Sequence, residues 1–265
     1  MLTVCRRRRS LQALRIHRFA PHRATGRIRR YSAGMDPVPI ILAWSGGKDC
    51  ALALQHLRAD PHWQVVALLT TINRSYQRVT MHGMARDVLL AQADALDLPL
   101  IEVQLDWPGS NEAYEQAQAA ALANARMRWP GIRHCAFGDL FLQDVRDYRV
   151  RQLGRENWRA VFPLWGEDTA KLARRFISEG HRALLCCVDI QQLDPACCGR
   201  SYDQALLDSL PAGVDPCGEH GEFHTLYYAG PLFKAPLHLR RGETTLRDGR
   251  FQYTDFLLDT ATGTG

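Results

Sequence analysis

The 265-residue sequence contains no long hydrophobic run and no Cys-x-x-Cys motif. A membrane-spanning helix needs roughly 18 consecutive apolar residues, and no run approaches that length. The eight cysteines lack the spacing of a redox motif, a zinc ribbon or the usual iron–sulfur site. Two pairs of them are adjacent, Cys186-Cys187 and Cys197-Cys198. With no secretory-type apolar stretch at the start, we expect reduced and mostly buried thiols and no structural metal.

Acidic residues are absent from the first 35 positions, which hold ten arginines and no lysine. The formal net charge is +5, of which this segment supplies +10, leaving −5 for residues 36–265. The composition suits a mitochondrial transit peptide, an upstream stretch before a true start at Met35, or a basic arm for nucleic acid. Each interpretation predicts a disordered basic tail over residues 1–35 that adds nothing to the core.

From residue 36 onward, short apolar runs alternate with segments of helical spacing. The predicted strands are Pro39–Trp44, Gln64–Asn73, Leu98–Leu105, Ile132–Phe137 and Ala160–Leu164. The predicted helices between them are Lys48–Ala59, Met84–Leu96, Asn111–Met127 (with Ser110 as its N-cap) and Val145–Asn157. This alternation predicts a doubly wound α/β fold, with five parallel strands and helices on both faces.

The pattern changes after Trp165. The predicted elements there are a helix at Asp168–Glu179, a strand at Arg182–Ile190, a short helix at 201–210 and a hairpin at His238–Leu258. The hairpin turn Arg247-Asp248-Gly249-Arg250 is a strong signal, because Asp-Gly suits tight turns between strands. We predict two domains, an α/β domain at 36–165 and a smaller α+β domain at 166–265.

One Gly-rich segment carries the first chemical signal. The residues from Trp44 to Cys50 read Trp-Ser-Gly-Gly-Lys-Asp-Cys and lie between the first predicted strand and helix. Glycines allow backbone N–H groups to approach a phosphate, and a helix N-terminus adds partial positive charge. The spacing differs from a Walker A loop and from Gly-x-Gly-x-x-Gly. The predicted phosphate-binding residues are Ser45, Gly46, Gly47, Lys48 and Asp49.

This segment resembles the Ser-Gly-Gly-x-Asp signature of the PP-loop ATP pyrophosphatases, also called adenine nucleotide α-hydrolases. The resemblance implies a HUP-like fold in which the loop cradles the pyrophosphate of ATP and attack falls on the α-phosphorus. The motif alone does not choose among the branches of that superfamily.

Further motifs narrow the branch. They are His82-Gly83-Met84, the segments 137–146, 163–166 and 230–233, and the segment 215–225, which reads Asp-Pro-Cys-Gly-Glu-His-Gly-Glu-Phe-His-Thr. Together they resemble the diphthine–ammonia ligase family over about residues 38–234. That family's usual form of the 215–225 motif is close to Gly-Glu-Asn-Gly-Glu-Tyr-His-Thr. Here His220 stands in place of the Asn and Phe223 in place of the Tyr.

The resemblance implies an ATP-dependent amide ligase that converts a carboxylate, ATP and ammonia into an amide, AMP and pyrophosphate. The acceptor is a protein-bound or small-molecule carboxylate, and free ammonia is the simplest nitrogen source because no glutaminase motif is visible. Mg²⁺ is expected with ATP, near Asp49 or Asp139, and Gly138 permits close approach at a strand end. The segment Thr70–Asn73 is expected to border the adenine.

A second cluster consists of Glu219, Glu222 and His224. Two carboxylates and an imidazole can capture ammonium and deprotonate it, which together with Lys48 and Asp49 gives the predicted catalytic set. The structural alternative is that this cluster caps and braces a Gly-rich loop.

Four other residues have two interpretations each, and a fifth, His134, has one. His82 is a nucleotide contact or a turn residue, and Arg146 and Arg149 face substrate or solvent. Trp165 is a wall of the site or part of an interdomain core. His134, in an apolar strand, is expected to be a core histidine with its hydrogen bonds satisfied.

Two other functions stay open: a tRNA-modifying PP-loop enzyme and a non-catalytic ATP-binding module. The charge of −5 outside the tail and the missing Cys-x-x-Cys disfavour the first, and the intact Ser-Gly-Gly-Lys-Asp segment disfavours the second. The predicted location is cytoplasmic, or mitochondrial if the tail is a transit peptide. Neither a membrane nor a nucleic-acid partner is expected.

Overall fold

The computed structural model describes residues 36–79, 82–106 and 110–259, so the basic tail and Cys5 lie outside the described residues. The first part of the chain alternates strands and helices. Its elements are β1 (Val38–Ala43), α1 (Lys48–Ala59), β2 (Trp63–Asn73), β3 (Arg78–Val79), α2 (Arg86–Leu96), β4 (Leu100–Leu105), α3 (Asn111–Arg128), β5 (His134–Ala136), α4 (Gln143–Arg155) and β6 (Arg159–Val161).

The strand order in the first sheet is β4-β2-β1-β5-β6, and all these neighbours are parallel. The doubly wound parallel sheet is therefore confirmed. All five expected parallel strands are present, and β3 adds a sixth strand that is antiparallel to the end of β2. With two residues, β3 is too short to show an alternating pattern in sequence.

Alternate residues of the central strand face opposite helical layers. Ile40 and Leu42 pack in the cluster that contains Leu54 of α1 and Leu89 of α2. Ile41, between them, packs in the cluster formed with α3 and α4. A strand buried on both faces explains the uninterrupted apolar run, and each fully buried side chain contributes about 1.5–3 kcal/mol.

The second part of the chain builds an antiparallel sheet. Its elements are α5 (Thr169–Ser178), β7 (Arg182–Asp189), α6 (Gln204–Ser209), β8 (Phe223–Ala229), β9 (Leu239–Arg247) and β10 (Phe251–Leu258). The strand order is β8-β7-β10-β9, and the predicted hairpin is β9–β10. Asp248 and Gly249 both have positive φ, 52° and 62°, as a tight two-residue hairpin turn requires.

The two sheets share one hydrophobic core. Leu42 and Leu54 of the first part lie in the same cluster of buried side chains as Phe223 and Tyr227 of β8. The antiparallel sheet thus packs against the layer that contains α1 and α2. The division into domains at residue 165 stays a prediction.

Three local predictions can be compared with the structure directly. Ser110 Oγ accepts a hydrogen bond from the Ala113 backbone N–H at 3.2 Å, so it is the N-cap of α3 as expected. The second helix begins at Arg86, not Met84, because the Met84 carbonyl accepts the Val79 N–H in a turn. All seven described cysteines are buried and free. In the described part of the chain, no helix has the length and apolar character needed to cross a membrane.

Candidate active site

A cavity of about 490 Å³ lies at the carboxyl ends of β1, β2 and β5, beside the N-terminus of α1. Its far wall is the loop that precedes β8 and the start of that strand. The predicted site residues that line it are Ser45, Lys48, Asp49, Gly138, Asp139, Glu219 and His224. The fold therefore brings the two chemical motifs, distant in sequence, to one place.

We call Ser45–Asp49 the phosphate loop. Gly46 has φ of +83°, and a Cβ atom there would lie 2.5 Å from Met84 Cε. The Gly46 carbonyl accepts hydrogen bonds from Gln92 Nε2 at 3.0 Å and from the Tyr227 backbone N–H at 2.8 Å. Gln92 is fully buried and also accepts from Trp44 Nε1 at 2.9 Å, so it positions the loop. Sequence reasoning missed Gln92, because it is one glutamine within a helical pattern.

The N-terminus of α1 takes its cap from the other sheet. The N-cap residue, Gly47, has no side chain to offer, and Thr225 Oγ1 accepts the Lys48 backbone N–H at 3.0 Å. A Cβ atom at Gly47 would lie 3.1 Å from the Thr225 carbonyl oxygen, so the two segments touch closely. Thr225 is the last residue of the 215–225 motif, and only the fold shows that it caps α1.

Lys48 is 2 % exposed, and its ammonium is held inside the site. Nζ donates to both Asp49 carboxylate oxygens at 2.7 and 2.8 Å and to the Cys217 carbonyl. It also lies 5.7 Å from the Tyr202 ring centroid and 5.8 Å from that of Phe223. Burial works against the charged form, but Asp49, Cys217 and Glu219 together outweigh it and raise the pKa of Lys48 above its ordinary value. The site therefore contains a permanent cation.

Glu219 and His224 have opposite pKa shifts. Burial, and then the nearby Asp49 charge, raise the pKa of Glu219 to about 7. Burial, and then the charge of Lys48, lower the pKa of His224 to about 4. At neutral pH, His224 is uncharged and Glu219 exchanges a proton readily, which makes Glu219 the better proton acceptor.

Glu222 does not line the cavity. It is buried, and its two carboxylate oxygens accept the backbone N–H groups of Asp215 at 2.8 Å and His220 at 2.9 Å. These bonds close the segment 215–222, which we call the acidic loop. The geometry favours the bracing alternative for Glu222.

Gly138 and Asp139 follow β5. A Cβ atom at Gly138 would lie 2.9 Å from the Asp49 carbonyl carbon, so only glycine lets this turn approach the start of α1. Asp139 accepts from Arg149 Nε at 2.7 Å, and the Arg149 guanidinium lies 4.3 Å from the Phe137 ring centroid. Arg149 therefore lines the cavity with its charge balanced by a carboxylate.

The segment 70–73, which was expected to border the adenine, lines the cavity only in part. Thr70 and Thr71 line the cavity, whereas Ile72 belongs to the core. The Asn73 side chain accepts the N–H groups of Ser75 and Tyr76 in a turn.

The remaining candidates fall in different places. His82 lines the cavity, and its ring centroid lies 4.5 Å from that of His224. Arg146 is stacked on Trp165 at 4.5 Å, and neither residue lines the cavity. The expectation for His134 was wrong: its Nδ1 atom is buried, and no group of the described residues lies within hydrogen-bond reach of it.

The chain is similar to known proteins over most of the described residues. The family model described as the diphthamide synthase N-terminal domain matches residues 39–156, and that of the diphthamide synthase C-terminal domain matches residues 168–253. A diphthine–ammonia ligase of Schizosaccharomyces pombe is 25% identical over 72% of this chain and 34% of its own length. One of Danio rerio is 28% identical over 80% of this chain and 91% of its own. The chain thus spans about a third of the length of the yeast relative.

A solved structure also resembles the chain. It is a predicted subunit of tRNA methyltransferase from Methanocaldococcus jannaschii, 20% identical with a TM-score of 0.32 over 71% of this chain and 95% of that one.

Proposed function

The chain belongs to the diphthamide synthase family, and on this premise we propose that it is an ATP-dependent ligase that forms an amide from a carboxylate and ammonia. The observation that carries the proposal is one cavity that unites the phosphate loop with the buried Lys48 ammonium and the Glu219 carboxylate. ATP supplies the activation, and AMP and pyrophosphate are the products besides the amide.

The phosphate loop supports binding of the ATP phosphates. Gly46 and Gly47 bring the backbone close, and the N-terminus of α1 supplies partial positive charge. The Lys48 ammonium lies among groups that keep it protonated and fixed. Such a charge, held in advance near the phosphates, stabilises the charge that develops during attack on the α-phosphorus.

The carboxylates of Asp49 and Asp139 both line the cavity, which fits a Mg²⁺ ion bound with ATP. Mg²⁺ is usually held in proteins by one or two carboxylates and by the phosphate oxygens of the substrate. When bound, the ion would neutralise phosphate charge.

Two bond exchanges make up the proposed reaction. A carboxylate oxygen of the acceptor forms a bond to the α-phosphorus, and the bond from that phosphorus to the bridging oxygen of the pyrophosphate breaks. Ammonia then forms a bond to the acyl carbon, AMP leaves, and the surplus proton of the nitrogen passes to a base. Glu219, with its pKa near 7, is the residue suited to accept this proton.

The acceptor is the finer part of the proposal. The relatives are named for diphthine, so a diphthine-type carboxylate on a protein is the first acceptor to test, followed by small carboxylates. His220 and Phe223, which differ from the usual family motif, lie in or next to the acidic loop. Acceptor choice is therefore best tested directly.

The test is release of AMP and pyrophosphate from ATP with ammonium and a panel of carboxylates. We expect release that needs both ammonium and one acceptor, and a loss of about 1000-fold or more in Lys48→Ala. Lys171→Ala removes an exposed lysine and should leave the rate unchanged. Tight ATP binding without AMP release from any acceptor would favour a non-catalytic module. Retention of tRNA at physiological salt would favour the tRNA-modifying alternative.

A further inference from the structure

A second cavity, of about 550 Å³, lies at the opposite edge of the parallel sheet, where β5 and β6 begin. Its lining residues are Gly131, Arg133, His134, Gly154, Asn157, Trp158 and Arg159. They come from the turn between α3 and β5 and from the turn between α4 and β6. None of them belongs to the site of the proposed ligase reaction.

The lining of this cavity contains polar side-chain atoms without hydrogen-bond partners. The described residues have six buried side-chain polar atoms that make no hydrogen bond, and two of them, Trp158 Nε1 and His134 Nδ1, belong to this lining. A third, Arg126 Nε, belongs to the residue whose guanidinium lies 5.4 Å from the Trp158 ring centroid. An indole N–H only donates, and Trp158 is 3% exposed, so it lacks a partner that accepts.

Three backbone carbonyls near these turns, by contrast, already accept a hydrogen bond each. The Leu153 carbonyl accepts the Trp158 N–H at 2.9 Å, and the Gly154 carbonyl accepts the Asn157 N–H at 3.1 Å. In the other turn, the Trp129 carbonyl accepts the Ile132 N–H at 3.1 Å. The Trp158 indole N–H is a donor without a partner, so a ligand that satisfies it must supply an acceptor.

The lining carries positive charge, which suits a ligand that supplies negatively charged acceptors. Arg133 and Arg159 are exposed, and none of the described residues that line the cavity is a carboxylate. Burial, and then the charge of Arg159, lower the pKa of His134. Guanidinium groups bind phosphate through paired charge-assisted hydrogen bonds.

We propose that this cavity binds an oxyanion, the phosphate group of a small molecule, between Arg133 and Arg159, with the Trp158 indole N–H as its buried donor. A cavity of about 550 Å³ is larger than a phosphate ion, so it has room for the organic part of a phosphate monoester. The proposal does not depend on the ligase reaction.

The test follows the indole N–H signal of Trp158 by two-dimensional NMR of the full chain. Trp158→Phe identifies the signal by its loss. Inorganic phosphate, and separately ribose 5-phosphate, are titrated at ionic strength held constant with sodium chloride. We expect a saturable shift of this signal. Phosphate bound at the phosphate loop would move other signals, because that loop lies at the other edge of the sheet.

Matched variants test the two arginines. Arg133→Gln and Arg159→Gln should each weaken phosphate binding about 10-fold, since each removes a hydrogen bond between charged partners. Arg128→Gln removes a neighbouring arginine that is stacked on Trp129 outside the lining, and it should leave the affinity unchanged. No saturable shift with either probe, or an unchanged affinity in the Arg133→Gln/Arg159→Gln double variant, would overturn the proposal. A higher affinity for ribose 5-phosphate than for inorganic phosphate would identify a phosphate monoester as the ligand. Equal affinity for the two probes would identify free phosphate.

Discussion

The phosphate loop and the acidic loop meet in one cavity but hold their shapes by different means. The phosphate loop leads directly into α1 with Gly46 at positive φ, and it is held from outside, because Gln92 and the Tyr227 backbone N–H donate to the Gly46 carbonyl. The acidic loop depends on a buried side chain, because Glu222 accepts two of its backbone N–H groups. Two glutamates three positions apart therefore have opposite tasks: one supports the loop and the other, Glu219, faces the cavity.

The two loops also complete one another. Thr225, just after the acidic loop, caps α1, and the Cys217 carbonyl within it accepts the Lys48 ammonium. Each loop needs the other to complete its hydrogen bonds. Substitutions in each loop should therefore show which residues act in the reaction and which stabilise the fold.

The largest effect is expected from Glu219→Gln, which tests the chemical role of the acidic loop. Loss of a positioned base should lower the amide-forming rate about 10²- to 10⁴-fold. In the wild type, the rate should rise with pH through about 7, because the carboxylate form accepts the proton and burial raises the pKa of Glu219 to about 7. The variant should lose this rise in the pH–rate profile.

The control is Glu243→Gln, which changes an exposed glutamate of β9. It should keep both the rate and the pH dependence. An unchanged profile in Glu219→Gln would remove this residue from the proposed chemistry.

Gly46→Ala tests how far the phosphate loop depends on glycine. The positive φ and the close approach of Met84 and Gln92 should together cost about 2–4 kcal/mol in the free energy of unfolding. Denaturant unfolding followed by circular dichroism measures this loss of stability.

Gly180→Ala is the matched control, because Gly180 has the same φ of +83° with no atom within 4 Å of the added Cβ. It should cost only the backbone strain, about 1 kcal/mol. Equal losses in the two variants would mean that the crowding around Gly46 relaxes without cost.

Glu222→Gln tests the structural role of the other glutamate. A glutamine can accept only one of the two N–H groups, and its own amide N–H₂ then meets a donor. We expect a loss of about 1–3 kcal/mol in the free energy of unfolding. In Glu219→Gln the same measurement should change little. If the two variants lose equal stability, the division of tasks between these residues is wrong.

Thr225→Val has the smallest expected effect. It keeps the shape of the side chain but removes the acceptor of the Lys48 N–H, which should cost about 1 kcal/mol in unfolding free energy. Thr225→Ser keeps the hydroxyl and should therefore retain most of the wild-type unfolding free energy. A Val variant as stable as the Ser variant would show that α1 needs no cap from β8.

Much of the fold was predictable because its signals are local. The strands β1 and β2 are buried on both faces, so each is visible in sequence as a continuous apolar run, and α1 was predicted with the bounds it has. The two-residue strand β3 was missed, since two residues carry no period. His134 was misjudged, because the sequence does not show which hydrogen-bond partners surround its Nδ1 atom.

By itself, the sequence determined the parallel sheet, the phosphate loop at the start of α1 and the set of charged residues available for chemistry. Those features depend on neighbours along the chain, where hydrophobic spacing and glycine conformation act. Only the tertiary structure decided that Glu219 faces the cavity while Glu222 is turned inward, that Thr225 caps a distant helix, and that Trp158 is left without an acceptor. These are matters of hydrogen-bond partners brought together from distant parts of the chain, and a linear pattern contains no record of which donors and acceptors meet.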